Sequence, residues 1–323
     1  MILRRFLVRI LLGLTALVPC VTGAAAQYPA KPVKVVVPAA PGGGTDIQAR
    51  YMASRLSERL GQQFVIENVA AAGGNVAAAQ VAKASPDGYT LLMIAPAIVI
   101  NHTLYARPGY DALTEFLQVA AWSQSPLLFI ANPSAPMTTL RELAHYAKAN
   151  PGKLAFGSGP GFINHMVMEL FKIESGANIL FVPYRGQAPA LTDVVSGQIQ
   201  LTVDSIASSG QFVEVGKVKA LAVTGAARAP AFPNVPTVTE AGFPKLTANT
   251  WYGLLAPASA PADIVAKLAA EIGAIQREPA SVQRIREMGA EPFIGGASEF
   301  AAYYRNELAK WAAVIKTSGL KID

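Results

Sequence analysis

The stretch VVVPAAPGGGTD, from Val35 to Asp46, decides the fold. A β-branched run passes through three consecutive glycines into a helical pattern at residues 47–60. Glycine lets the backbone turn tightly and approach a ligand, and the free N–H groups and positive dipole end of a helix favour an anion. The stretch therefore predicts a strand, an anion-binding turn and a helix whose N-cap is Thr45 or Asp46. A plain tight turn remains the alternative, because neither the Walker loop nor the dinucleotide fingerprint is present.

Two further turns of this kind follow. A strand at residues 64–67 leads through Gly73, Gly74 and Asn75 into a helix, and a strand at residues 154–156 leads through residues 157–161 into another. All three turns lie at the carboxyl ends of predicted parallel strands, where open α/β sheets bind ligands. Because no Lys or Arg accompanies them, they favour a carboxylate over a phosphate.

The rest of the chain alternates short β-branched runs with helical patterns, which is typical of parallel sheets with crossover helices. Further strands are expected at residues 33–37, 89–94, 127–131, 179–182, 199–203 and 218–223. Thr139 and Glu142 form the pattern of a capping box, which predicts a helix start. Apolar stripes at residues 264–275 and 300–315 predict two core-packed helices near the C-terminus.

The fold class expected is α/β with two lobes, each a mostly parallel sheet flanked by helices. About 300 residues exceed a typical single core. Extended segments at residues 125–133 and 250–257 indicate that the chain crosses between lobes twice. Lobe 1 would comprise residues 27–125 and 252–323, and lobe 2 residues 126–251.

The N-terminus has the organisation of a signal peptide. Arginines at positions 4, 5 and 9 precede an apolar run at residues 10–21 and a small-residue site, which predicts cleavage after Ala26 and a periplasmic location. A retained membrane anchor is the alternative, although the run is short for a membrane span. Acylation of Cys20, the only cysteine, is disfavoured because Pro19 stands where such a signal needs a small residue.

Composition argues against several function classes. Removing the three N-terminal arginines leaves 24 basic and 21 acidic residues, a net charge of about +3, and without clustered Lys or Arg no nucleic acid partner is expected. The three histidines lack metal-ligand spacing, and Ser158 lacks the leading glycine of the nucleophile elbow. We therefore expect no catalytic residue, no metal and no cofactor.

Three other side chains are candidates for the cleft wall. Asp204 follows an apolar run and is suited to accept from a ligand hydroxyl or ammonium group, or equally to cap the next helix. Tyr184 follows a strand, with Arg185 beside it expected to be a surface charge. His165 lies one turn into the helix after the third glycine turn, where packing is as plausible as ligand contact.

Taken together, these segments resemble the Bug-type (TctC-like) substrate-binding receptors of tripartite tricarboxylate transporters, from about Tyr28 to the C-terminus. The order and number of the motifs are more specific than any one of them. They are Tyr28-Pro29 with Lys31-Pro32, then residues 41–46, 65–68, 72–75, 86–91, 150–154, 182–186, 221–224, 233–237, 240–242 and 251–257.

The resemblance implies a type II periplasmic-binding fold whose cleft closes on a ligand carboxylate held by backbone amides and waters. It implies a monomeric receptor that delivers its ligand to membrane permease subunits, although some such receptors serve sensor kinases. The positions matching the family's binding loops are Gly43, Gly44, Thr45, Asp46, Gly74, Asn75, Ser158, Gly161 and His165, with Asp204 more loosely.

The chain also departs from the family pattern. Phe162 stands where Ser or Thr is usual, and Val69-Ala70 replaces Arg-Pro. A ring at position 162 suggests a less polar ligand, such as an aromatic or longer-chain acid, unless it turns into the core. A neutral or cationic solute paired with Asp46 and Asp204 stays an alternative, and a secreted enzyme on the same scaffold is a more distant one.

Overall fold

The computed structural model describes residues 28–322 of the chain, and the predicted signal peptide lies outside this range. Ten strands and ten α-helices follow one another along these residues, mostly in alternation. The strands are β1 (Val33–Val37), β2 (Phe64–Asn68), β3 (Thr90–Ile94), β4 (Phe116–Ala131), β5 (Ala155–Ser158), β6 (Leu180–Pro183), β7 (Leu201–Ser205), β8 (Lys219–Val223), β9 (Asn249–Pro257) and β10 (Glu291–Pro292). The helices are α1 (Gly44–Leu60), α2 (Asn75–Ala82), α3 (Ala97–Leu104), α4 (Leu140–Ala149), α5 (Ile163–Ser175), α6 (Gln187–Ser196), α7 (Ile206–Glu214), α8 (Ala262–Ile275), α9 (Pro279–Glu287) and α10 (Ala297–Ser318).

The strands form two sheets that share one long strand. The order β2-β1-β3-β9-β4-β7-β5-β6 runs through both, with β8 and β10 also paired to β4. Residues Phe116 to Pro126 of β4 pair with β9, whereas Leu127 to Ala131 pair with β7 and β8. We call the part built on β1, β2, β3 and β9 lobe 1, and the part built on β5, β6, β7 and β8 lobe 2. The predicted two-lobed α/β class is confirmed.

Parallel pairing is found within each lobe, and the strands shared between lobes add antiparallel pairs. β1 pairs in parallel with β2 and β3, and β5 pairs in parallel with β6 and β7. β4 and β9 run antiparallel to each other and to their neighbours. The two segments predicted as crossings are therefore hydrogen-bonded strands, and each sheet is mixed.

Helices cover both faces of each sheet because the strand residues alternate between two cores. In β1, Val36 packs into one core while Val35 and Val37 pack into another that includes residues of α1 and α8. In β4, Leu128 and Ile130 face a third core that includes residues of α6 and α7. This layering brings the carboxyl ends of the parallel strands, and so the starts of the following helices, to the gap between the lobes.

The local helix signals are largely confirmed. The Thr139 hydroxyl accepts from the Glu142 N–H at 3.1 Å and the Glu142 carboxylate accepts from the Thr139 N–H at 3.2 Å, which completes the capping box at the start of α4. The C-terminal stripes fall on α8 and α10. The predicted N-cap of α1 was wrong: the helix begins at Gly44 and its N-cap is Gly43, because the extended backbone at Gly43 already precedes helical geometry.

Candidate functional site

A cavity, which we call the inner chamber, lies between the lobes at the strand ends. Residues from both lobes line it: Pro38, Ala39, Gly43, Gly44, Thr45, Ala95, Pro96, Ala97, Leu127, Phe162, Ile163, Asn164, Gln187, Asp204, Ser205, Thr250 and Tyr252.

Five helices begin at this chamber. The lining includes the N-cap or the first residue of α1, α3, α5, α6 and α7. The first-turn N–H groups of a helix have no carbonyl of the same helix to donate to, and they carry the positive end of its dipole. Arranged around one cavity, they form a cluster of main-chain donors suited to an anion.

The lining contains no positively charged side chain: none of the residues named above is Lys, Arg or His. Its one ionisable acid is Asp204, whose carboxylate accepts from the Ser205 N–H at 2.7 Å and the Ser208 hydroxyl at 2.6 Å. Burial raises the pKa of Asp204 to about 7 against the opposing effect of these two donors. Near neutral pH this wall can therefore present a neutral acid as well as an anion.

The two lobes touch at the inner end of the chamber. Gly44 of lobe 1 faces Ser205 of lobe 2 so closely that a Cβ atom on Gly44 would clash with the Ser205 hydroxyl. That Cβ would also lie 2.8 Å from the hydroxyl of Tyr252, which is fully buried in β9. Burial raises the pKa of Tyr252 to about 12, so this phenol remains a neutral hydrogen-bonding group. Glycine at position 44 is therefore what the contact between the two lobes permits.

A second space, which we call the outer chamber, adjoins the first. Pro38 and Phe162 line both chambers, so the Phe162 ring forms part of the wall between them. The outer chamber is lined by Pro38, residues 70–74, Tyr105, Gly159, Pro160, Phe162, Tyr184, Arg185 and Gly186.

Several of the residues predicted to bind ligand meet at these chambers. Gly43, Gly44, Thr45, Phe162 and Asp204 line the inner chamber. Gly74, Tyr184 and again Phe162 line the outer one. The ring of Phe162 is half-buried and faces the two chambers, so it does not turn into the core. The first and third glycine turns are thus brought together, while the second borders the neighbouring space.

Asp46 lies behind the first turn and lines neither chamber. Its carboxylate accepts from the Gly42 N–H, the Arg50 guanidinium and the Asn68 amide, each at 2.9 Å. Burial works to raise the pKa of Asp46, but these three donors together lower it. This carboxylate is therefore an ionised internal acceptor that fixes the shape of the glycine turn.

The remaining predicted residues also support the walls from behind. His165 stacks on Phe181 at 4.1 Å between ring centres, and its Nδ1 accepts from the Gly161 N–H at 3.3 Å. Burial, assisted by the charge of Lys172, lowers the pKa of His165 to about 4, so the imidazole stays neutral and can act as this acceptor. The amide Nδ2 of Asn101, a residue of α3, donates to the Asn75 side chain at 2.9 Å.

Ser158 is fully buried, and its hydroxyl lies 3.2 Å from Oε1 of Gln187. The Gln187 amide in turn donates to the Val203 carbonyl at 2.8 Å. Ser158 thereby helps to place the start of α6 at the inner chamber.

Sequence reasoning missed several lining residues. Ala95, Pro96 and Ala97 join β3 to α3, and Gln187 opens α6. Their common signal is position: each follows a predicted strand. Ser205 and the buried pair Thr250 and Tyr252 lay within segments interpreted as a cap and a lobe crossing.

Within residues 28–322, no group of three His, Asp or Glu side chains could hold a metal ion. None of the helices described is long and apolar enough to cross a membrane.

Comparison with known proteins defines the class. Residues 48–320 match the model of the tripartite tricarboxylate transporter family receptor. The chain is 32% identical over 298 residues to the protein BugT of Bordetella pertussis, covering 91% of each. A solved R. palustris protein with adipate is 38% identical with a TM-score of 0.89, covering 91% of this chain and 99% of the other. MatC from Rhodopseudomonas palustris, solved with malate, is 32% identical with a TM-score of 0.85, covering 89% of this chain and 100% of the other.

The fold and the cleft are those of a two-lobed solute-binding receptor rather than an enzyme. The chain belongs to the tripartite tricarboxylate transporter receptor family, which confirms the Bug-type resemblance. Receptors of this family are substrate-binding proteins, so the absence of a predicted nucleophile or acid–base pair is in keeping with the class.

Proposed function

We propose that this receptor captures a small carboxylate-bearing molecule between its lobes and delivers it to the membrane permease subunits of a tripartite tricarboxylate transporter. The observation that carries the proposal is the convergence of five helix N-termini on an inner chamber, where none of the lining residues described is cationic. Main-chain donors recognise the negative charge, and no covalent step is needed. The adipate and malate bound to two relatives support a carboxylate as the ligand class.

The residues proposed to contact the carboxylate are those of the first and third turns together with the start of α3. Gly44 and Thr45 supply main-chain donors from lobe 1, and Ile163 supplies one from the start of α5 in lobe 2. The N–H groups of Gly43 and Phe162 already donate to the Ala40 and Gly159 carbonyls, so these two residues shape the turns. The Phe162 ring offers an apolar surface to the carbon chain of the ligand. This arrangement favours an acid with an apolar chain or an aromatic ring.

Capture would work as a population shift. A ligand that bridges both lobes stabilises the closed form by its additional contacts, and the open form releases it. The division into moving units is proposed to follow the change of pairing partner in β4, with residues 27–125 and 252–323 in one lobe and 126–251 in the other. The lobes would bend at the paired strands β4 and β9.

Export to the periplasm is proposed from the family and from the predicted signal peptide with cleavage after Ala26. Mass spectrometry of the protein purified from the periplasm tests this directly. A mature N-terminus at Gln27 is expected, whereas an intact leader would contradict the cleavage site.

A thermal-shift screen of mono-, di- and tricarboxylates, aromatic acids and acidic amino acids tests the ligand class. Binding to the folded state raises the melting temperature in a concentration-dependent way. A saturable shift with at least one acid, confirmed by calorimetry, is expected. Stabilisation by neutral or cationic solutes only, with no response to any acid, would overturn the proposal.

A further inference from the structure

The outer chamber contains two polar side chains that make no polar contact with the other residues described. The Arg185 side chain is exposed and forms no hydrogen bond or ion pair with any residue of the range 28–322. The Tyr105 ring is half-buried, and its hydroxyl likewise has no hydrogen-bond partner there. A cation and a hydroxyl donor without partners, facing one cavity, are suited to a second anionic group.

These two groups come from opposite lobes. Tyr105 follows α3 in lobe 1, and Arg185 follows β6 in lobe 2. The lobes meet beside them, where Gly73 packs directly against the Pro160 carbonyl and leaves no room for a Cβ atom. The chamber therefore acquires its full wall only when the lobes are together.

The other polar side chain that lines the outer chamber, Tyr184, already has a hydrogen-bond partner. The Tyr184 hydroxyl donates to Asp193 at 2.6 Å, and burial together with this carboxylate raises the pKa of Tyr184 to about 12. Tyr184 thus serves as a fixed wall. Arg185 is the one charged side chain among the described residues that line either chamber, apart from Asp204.

Resting on the proposed function, we propose that the outer chamber is a second subsite that binds the far anionic group of an elongated ligand through Arg185 and Tyr105. One carboxylate lies at the helix N-termini of the inner chamber, the apolar chain passes the edge of Phe162, and the second carboxylate reaches the guanidinium. The preferred substrate class is then a straight-chain dicarboxylate rather than a monocarboxylate.

Calorimetric titration with matched pairs of acids tests the subsite. Butanoate with succinate, hexanoate with adipate, and octanoate with suberate each differ in one terminal carboxylate. For the pair whose length spans both chambers, wild-type protein is expected to bind the dicarboxylate about three- to tenfold more tightly, as suits a partly exposed charge pair. This preference should shrink as salt is added, because screening weakens an exposed pair.

Variants assign the preference to its residues. Arg185→Gln is expected to remove the dicarboxylate preference while leaving monocarboxylate affinity unchanged, and Arg185→Lys to keep most of it. Tyr105→Phe should reduce the preference about two- to threefold, the loss of one hydrogen-bond donor. Arg305→Gln on α10, which lines neither chamber, is the matched control and should behave as wild type.

The outcomes distinguish failure of the subsite proposal from failure of the proposed carboxylate capture. Equal binding of both members of every pair, or a preference that Arg185→Gln leaves intact, overturns the subsite and leaves carboxylate capture standing. Failure of every acid to bind overturns carboxylate capture and the subsite with it.

Discussion

Replacing Gly44 by Ala tests whether the closed form depends on a missing side chain. The added methyl group would lie 2.8 Å from the Tyr252 hydroxyl and nearer still to the Ser205 hydroxyl across the cleft. Both distances are shorter than carbon–oxygen contacts in folded proteins, so the lobes must separate or the two hydroxyls must move. Overpacking of this kind costs roughly 1–3 kcal/mol.

In the open form the clash with Ser205 is relieved, because Ser205 lies in the other lobe. The contact with the Tyr252 hydroxyl stays, since β9 belongs to lobe 1 as Gly44 does, and it is offset by the higher helix propensity of alanine, worth up to about 1 kcal/mol in α1. The melting temperature of the unliganded protein should therefore change little. Because the Ser205 clash penalises only the closed form, ligand affinity should fall roughly 5- to 150-fold.

The assay is calorimetric titration with an acid returned by the screen, together with small-angle X-ray scattering with and without that acid. Gly44→Ala should stay expanded at ligand concentrations that compact the wild type. Ser205→Gly in the same chain removes the opposing side chain and should restore part of the affinity. Gly273→Ala, in the interior of α8, serves as the control that raises helix propensity without altering binding. Wild-type affinity in Gly44→Ala would refute the reasoning.

Three further predictions concern single side chains at Asp204, His165 and Thr139. Burial raises the pKa of Asp204 to about 7, well above that of an exposed aspartate, which titrates near pH 4. The contribution of the protonated side chain to stability is therefore full below about pH 4 and is lost as pH rises through 7. Asp204→Asn should gain melting temperature relative to wild type between about pH 5 and 8; a constant difference would contradict this. His165→Phe keeps a ring against Phe181 but removes the acceptor for the Gly161 N–H. Thermal melts should show about 1 kcal/mol less stability, and titrations should show severalfold weaker ligand binding. Unchanged affinity would show that His165 does not position the third turn. Thr139→Ala should cost about 1 kcal/mol in urea unfolding with no change in affinity, and an unchanged midpoint would argue against the cap.

Local signals predicted much of the architecture. The strand and glycine turn around Gly44, the capping box at Thr139 and the two C-terminal stripes each fixed an element to within a few residues. The first part of β4 was missed because Gln118, Ser123 and Gln124 interrupt its apolar pattern. These polar groups are tolerated because partners come from distant segments, as when the Gln48 side chain accepts from Ser123 at 3.0 Å.

The site was predictable only in part because much of its chemistry belongs to the main chain. Ala95, Pro96 and Ala97 bring the start of α3 to the cleft without any side chain that signals binding. Every residue except proline carries the same N–H group, so composition cannot distinguish a donor that faces a ligand from one that faces solvent. Asp46 is the opposite case: its carboxylate suggests ligand binding in the sequence, but in the structure it accepts hydrogen bonds from Gly42, Arg50 and Asn68.

The pairing of β4 with β9 has a consequence for how the polypeptide acquires its structure. Phe116 pairs with Pro257, so the sheet of lobe 1 is completed by a strand that is synthesised only after all of lobe 2. Lobe 2 is one contiguous segment and can fold first. Until β9 is synthesised, the sheet of β1, β2 and β3 keeps an unpaired edge at β3. Folding of lobe 1 is therefore completed only when β9 pairs. A nascent chain stalled before residue 249 would expose an unpaired strand edge that is prone to aggregation.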